Sequence, residues 1–277
     1  MKLRNNISTC ENGLIIVSFG TSFPQTREKT IGAIEHALEK AFPDYFISRA
    51  FTSGMVIKRI RAQEGIAIDT VSEAMKHALQ SGVRNLILQP THLMHGREYQ
   101  KLKTTAAKYA DRFQTIAVGL PLLDSDEDFQ LLMQAITEQT SPDTDDKTAV
   151  CFMGHGTDVS ANEVYAKLQA LLHASGFLNY YIGTVEGTPT LDDVIKQLNR
   201  SNYRKVILQP LMIVAGDHAC NDMAGDGADS WKSIITSAGY QVECILSGLG
   251  ENPNIHDMFV RHTQLASEQL RERKASR

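Results

Sequence analysis

Ile87-Leu-Gln-Pro90 recurs unchanged as Ile207-Leu-Gln-Pro210, 120 positions further on, and this pair of tetrapeptides decides the fold. Each closes a short apolar, β-branched run bounded by polar turns, the pattern of a strand buried on both faces. Working outward from residue 87, further strands are predicted at 13–19, 45–51, 85–89 and 115–118. Between them lie helical stretches: 26–41, with Ile31, Ile34, Leu38 and Ala41 at helical spacing; one opened by the capping box Thr70-Val-Ser-Glu73 and ending near Gly82; 99–113; and 126–140. The polar, proline-bearing segment 141–147 is the candidate boundary, dividing the chain into 1–140 and 141–277. Beyond it the pattern restarts, with strands at 148–153, 180–185, 205–214 and 241–246. Helices are expected after the box Ser160-Ala-Asn-Glu163, at 190–199, at 230–238 and at 255–273. Strands alternating with helices call for parallel sheets covered on both faces. The fold class is therefore α/β: two similar doubly wound lobes, internally duplicated, with a cleft between them. Carrying the offset of 120 forward sets Gly96-Arg97-Glu98 opposite Gly216-Asp217-His218. An offset of 134 sets Gly20-Thr21 opposite Gly154-His155.

With 277 residues the chain can bury a core in each lobe. Lys+Arg 28 against Asp+Glu 32 leaves a formal net charge of −4, which supplies no basic field for a phosphate backbone and argues against nucleic acid as a partner. Nor does it draw in a polyanionic ligand from a distance; local Arg, Lys and N–H groups must hold one. No apolar run reaches the roughly 18–20 residues that span a bilayer. The opening MKLRNNISTCENG has no apolar core of a secretory signal, so a cytoplasmic protein with no membrane partner is expected. Four cysteines at 10, 151, 220 and 244 contain no CxxC, which disfavours both disulfides and a thiolate zinc knot. A homo-oligomer is left open.

Ligands of open parallel sheets bind beyond the carboxyl ends of the strands. Gly154-His155-Gly156 there presents an imidazole between two residues that allow unusual backbone angles and close approach. It reads equally as a turn whose histidine caps the next helix. GHGTD lacks the Walker lysine, and GTSFPQT is far from GxGxxG, so nucleotide binding is disfavoured. His218 sits in Ala215-Gly-Asp-His-Ala-Cys-Asn-Asp222, where Asp217 or Asp222 could orient the ring, or where turn formers simply make a loop. Imidazole accepts cobalt, nickel, iron and zinc alike, so it does not name a metal. Glu186 and Glu98 stand at strand and helix ends, each readable as an exposed carboxylate or a dipole partner. His92 and His95 could share a ligand at i, i+3. His36, His77, His173, His256 and His262 fall in predicted helices and read as structural or surface residues. Cys220 reads as inert, 124–128 (DSDED) as a solvated helix start, and Trp231 as a core anchor.

VSFGTS (17–22), RAFTSGM (49–55), FMGHG (152–156), VEGTP (185–189), LMIVAGDHACNDMAGD (211–226), DSWK (229–232) and LSGLGENP (246–253) together resemble the anaerobic-type cobalt chelatases of cobalamin biosynthesis. These belong to the ferrochelatase-like class II chelatases. The resemblance runs from about 13 to 262. It implies two α/β lobes around a cleft and insertion of Co²⁺ into sirohydrochlorin, a tetrapyrrole bearing many carboxylates, with release of two protons. It implies no organic cofactor; Co²⁺ is the substrate metal. By this resemblance His155 binds metal and accepts protons, His218 is the second metal ligand, Glu186 the accompanying carboxylate, and Glu98 a catalytic acid facing the cleft. Ser18, Gly20, Thr21, Gly154 and Gly156 are expected to border the substrate. QPTHLMHG (89–96) departs from the family pattern. The alternatives are an iron or nickel chelatase on the same or a related tetrapyrrole, and a non-catalytic tetrapyrrole or metal carrier. His155 and His218 are expected to converge, from opposite lobes or from adjacent loops.

Overall fold

The computed structural model describes residues 10–275; the polar segment 1–9, part of the stretch read above as lacking a signal core, lies outside them. Two four-stranded parallel sheets carry the same strand order, β2-β1-β3-β4 and β6-β5-β7-β8. The first sheet comprises β1 (Asn12–Ser18), β2 (Phe46–Phe51), β3 (Asn85–Pro90) and β4 (Thr115–Val118). The second comprises β5 (Thr148–Gly154), β6 (Tyr180–Thr184), β7 (Lys205–Pro210) and β8 (Gln241–Cys244). The repeated tetrapeptide ends the third strand of each sheet.

Alternation along each central strand sorts its residues between two cores. Leu14 and Ile16 of β1 join Val150 and Phe152 of β5 in one cluster shared by both lobes. Ile15 and Val17 face the opposite way, into a core of the first lobe alone, under α4 (Val71–Gln80) and α5 (Arg97–Ala107). Ala149, Cys151 and Met153 do the same in the second lobe, under α8 (Leu191–Leu198) and α9 (Trp231–Ser237), where Trp231 is buried as expected. The shared core is completed by α6 (Asp126–Thr140), α7 (Glu163–Ala174) and α10 (Pro253–Ala275). α10 leaves the second sheet and packs on α6, β3, β4 and α2 (Ala33–Ala41) of the first half. The lobes thus share apolar surface and a helix.

The structure differs from the expectations at several places. The helix predicted at 26–41 begins as α1 (Pro24–Arg27), with Pro at a position that needs no N–H, and passes through a π turn (Glu28–Gly32) into α2. α3 (Gly54–Glu64) had no sequence signal, because only Ile60 of its residues is buried and no apolar stripe forms. β7 stops at Pro210 rather than 214; the carbonyls of Met212 and Ile213 accept instead from Leu249 and Gly250 N–H, tying this loop to the segment before α10. The box at 160–163 does not close, since Asn162 occupies the cap of α7 without a side-chain cap bond. The acidic run 124–128 is not all solvated: Asp128 is buried, accepting from Ser125, Arg261 and His262.

The offset of 134 between the two β1-type loops is corrected to 136. Val17 pairs with Pro90 in one sheet and Met153 with Pro210 in the other, so 17 maps on 153 and 90 on 210. Gly20 then falls on Gly156, and both are left-handed, at φ +99° and +82°. His155 corresponds to Phe19, not to Thr21.

Candidate functional site

β5 and β7 are neighbours, so the loops after them open at the same end of the second sheet. His155 follows β5 directly. Its loop is fixed by Gly156, where an added Cβ would lie 2.8 Å from Gly187 N and 2.9 Å from the Glu186 carbonyl carbon. Gly156 N–H donates to the Tyr165 hydroxyl at 3.2 Å, and Glu186 N–H donates to the His155 carbonyl at 2.8 Å. Asn162 ties the two loops together, accepting from Thr157 N–H at 3.0 Å and donating to the Thr188 carbonyl at 2.6 Å. Sequence reading took Asn162 for part of a capping box, and nothing local in its spacing marks this bridging role.

His155 Nδ1 lies 2.9 Å from the Gly156 carbonyl, so Nδ1–H donates and Nε2 keeps its lone pair. His218 caps the π turn Ala219–Met223, and its Nδ1 is 2.5 Å from Asp222 Oδ2, which again leaves Nε2 as the free base. Asp217 instead accepts from Asn221 at 3.2 Å. The two imidazoles meet edge to face, with ring centroids 4.8 Å apart. Glu186 Oε2 stands 3.9 Å from His155 Nδ1, and both side chains are about half exposed, at 47% and 62%. The histidines therefore come together from adjacent loops of one lobe, not from opposite lobes. Among the described residues, no group of three or more His, Cys, Asp or Glu side chains is disposed to hold an ion. What the loops offer is two basic nitrogens and a nearby carboxylate, open to solvent.

The first lobe supplies the other border. Glu98 stands in the first turn of α5; burial pushes its carboxyl up, but the hydrogen bond from Lys101 at 2.6 Å and the charge of that lysine outweigh it, and it sits below the ordinary glutamate range. It is a carboxylate at neutral pH. Beside it Arg97 spans the lobes in a two-pronged pair with Asp158, at 3.0 and 2.5 Å. His92 is enclosed without partners for either ring nitrogen, and burial lowers it to about 4, whereas His95 bonds Asp124 at 2.6 Å. The i, i+3 pair shares no ligand. Ser18 and Thr21 are buried; Ser18 Oγ accepts from Thr91 and Thr21 Oγ1 from Phe23 N–H, so their hydroxyls serve the loop. Gly20, Gly154 and Gly156 are buried too and shape the loops rather than present groups. Burial pushes the Cys220 thiol up, with Asp217 adding to it, which suits an inert thiol. No helix of the described residues is long and apolar enough to cross a membrane.

The family described as cobalt chelatase (CbiK) matches residues 12–268. A sirohydrochlorin cobaltochelatase of Salmonella typhimurium is 41% identical over 256 residues, covering 92% of this chain and 96% of that one. Sirohydrochlorin cobaltochelatase CbiKC of Nitratidesulfovibrio vulgaris is 29% identical over 268 residues, covering 96% and 94%. Among solved structures, SirB from Bacillus subtilis with Fe³⁺ superposes with a TM-score of 0.65 at 12% identity, covering 94% of this chain and 97% of its own. CbiX, described as the terminal enzyme of siroheme biosynthesis in denitrifying bacteria, gives 0.55 at 17% identity, covering 92% and 99%. At these identities the two structures speak for the fold alone.

Proposed function

The chain belongs to the cobalt chelatase family, and from that membership we propose that it inserts Co²⁺ into sirohydrochlorin, releasing two protons. The observation that carries the reading is the meeting of His155 and His218, 4.8 Å between ring centroids, with their basic nitrogens unclaimed by the protein. Two pyrrole N–H protons must leave while the metal sheds its water. Neutral imidazole both ligates a divalent ion and accepts a proton near neutral pH. His155 and His218 hold Co²⁺, Glu186 offsets its charge, and Glu98 stands as an ionised acceptor on the first lobe. A pair of imidazoles with one nearby carboxylate is an incomplete coordination set, which suits an ion that must be handed on rather than kept. That favours an enzyme over a carrier. The loops bearing Ser18, Gly20, Thr21, Gly154 and Gly156 border the substrate through their backbone shape. No organic cofactor takes part, and the protein works in the cytoplasm. The boundary at 140/141 divides the sheets, with α10 returned to the first lobe.

Anaerobic initial rates with metal-free sirohydrochlorin test this, read from the macrocycle absorbance with Co²⁺, Fe²⁺ and Ni²⁺ in parallel. Cobalt insertion is expected, and His155→Ala should lower it by at least about a hundredfold, the usual scale for a lost acid–base group. Wild-type rates in His155→Ala would refute the assignment, and faster insertion of iron or nickel would change the metal.

A further inference from the structure

The duplication extends past the strands into the loops. Thr52 N–H donates to the Ser18 carbonyl at 2.9 Å and Ser53 N–H to the Phe19 carbonyl at 3.3 Å. In the second lobe Val185 donates to Gly154 at 3.0 Å and Glu186 to His155 at 2.8 Å, the same two bonds. Phe19 therefore occupies the place of His155, and Ser53 that of Glu186. The offset of 120 gives Glu98 the place of His218. Where one lobe ends its strands in imidazole and carboxylate, the other presents a phenyl ring.

That ring is 51% exposed, and Met55, two residues past Ser53, is 71% exposed. Neither is needed by the local core, which is made by Phe51, Ile31 and Ile60 beneath them. The loop carrying Phe19 reaches the second lobe: a Cβ added at Gly216 would lie 3.7 Å from Thr21 Oγ1. Gly216 is two residues before His218, and Thr21 two residues after Phe19. The loop of the phenyl ring and the loop of His218 are thus neighbours across the two lobes.

We propose that Phe19 and Met55 form an apolar shelf that binds one face of a flat conjugated macrocycle, across the opening from the imidazoles that hold the metal at its other face. This rests on the chelatase reading above. The chemistry fits: with a net charge of −4 the protein gains nothing at long range from a polycarboxylate rim, so the apolar face of the ring is the part it can bind without charge cost. Aromatic stacking on a planar π system needs no hydrogen-bond partner. Placing phenyl where a third imidazole would stand also leaves metal delivery to one face only.

The test is equilibrium binding of metal-free sirohydrochlorin alone, followed by its absorbance and fluorescence, with Co²⁺ binding to macrocycle-free protein measured separately. Phe19→Ala should weaken macrocycle binding by about tenfold, the scale of one lost stacking contact, with cobalt binding unchanged. Phe19→Tyr should restore affinity to within about threefold, which a merely structural role for the side chain's bulk in the loop would not require of an aromatic in preference to Phe19→Leu. Met55→Ala should weaken binding by a smaller factor. Equal macrocycle affinity in wild type and a folded Phe19→Ala would overturn the shelf, whatever the insertion rates. Phe19-dependent binding without metal insertion by wild type would support the shelf and overturn the chelatase reading.

Discussion

Asp222→Asn isolates the orientation of one imidazole. In the native protein Asp222 Oδ2 lies 2.5 Å from His218 Nδ1, so the carboxylate fixes the proton on Nδ1 and turns Nε2 outward as the base. Asparagine keeps the size and one acceptor oxygen, but it removes the charge. Its amide nitrogen can also turn toward the ring, and that rotamer puts the proton on Nε2, where it blocks the metal. A hydrogen bond to a charged group contributes about 1.5–3 kcal/mol. The His218 and Asp222 side chains are 35% and 47% exposed, so water screens the pair and about half of that survives. Near 1.4 kcal/mol corresponds to a loss of about tenfold. The expected result is a roughly tenfold lower kcat/KM for cobalt with little change in the KM for sirohydrochlorin, measured as anaerobic initial rates at saturating second substrate. Asp217→Asn is the matched control. It removes the same charge one residue away from His218, yet Asp217 accepts only from Asn221, so its effect should stay within about twofold. If Asp217→Asn loses as much as Asp222→Asn, bulk charge and not ring orientation governs the rate. If Asp222→Asn is as fast as wild type, the carboxylate does not set the working form of His218.

Two further substitutions probe the frame. Gly156→Ala places a methyl 2.8 Å from Gly187 N at a left-handed residue, so it should lower the unfolding free energy by about 1–2 kcal/mol and the insertion rate by about tenfold, read by urea titration and steady-state rates. Burial alone would push the Asp128 carboxyl up, but hydrogen bonds from His262 and Ser125 outweigh it and hold it far below the ordinary aspartate range. A depressed folded value gives stability that is complete above the unfolded value near 3.9 and is lost as pH falls toward the folded one. Asp128→Ala should therefore unfold about 3 kcal/mol more easily at pH 7, and its stability should fall less steeply than that of wild type below pH 4, by urea titration across pH.

Much of the fold could be read from the residues because buried parallel strands write themselves as continuous apolar runs; β4 and α6 match their predicted limits, and the third strands announce the duplication by identity. What escaped lacked that signal. α3 buries only Ile60, so periodicity had nothing to register. The return of α10 to the first half is a tertiary fact: its apolar face would suit either sheet, and the choice is made by partners such as Asp128, which local composition marks as a surface acid. His155 was legible because it follows a strand directly with glycine on either side, and His218 because it stands in the polar loop beyond β7 with Asp217 and Asp222 near it. Their approach from one lobe depended on β5 and β7 being neighbours, which only the strand order fixes. The register error of two residues had a larger consequence. Matching glycine to the wrong glycine hid the equivalence of His155 and Phe19, and with it the reason for an exposed phenyl ring at a strand end.

That equivalence bears on how a duplicated scaffold carries out a one-way reaction. Two identical half-sites would bind an ion from both faces of a flat ligand and hold it. Here the second lobe keeps two imidazoles, and the corresponding positions of the first lobe hold an apolar ring and a carboxylate. On the proposed reading, part of the proton demand then separates from the metal in space. The ion enters from the side with the imidazoles, where His155 takes one proton, and Glu98, a carboxylate bonded by Lys101 at 2.6 Å, stands as the second acceptor on the side with no metal ligand. Taking one of the two protons on the far side avoids adding a further positive charge to the half-exposed pocket that holds the cation, where repulsion at about 4 Å would reach several kcal/mol at an effective dielectric near 20. Asymmetry between the halves, rather than the number of ligands in either, gives the transfer its direction.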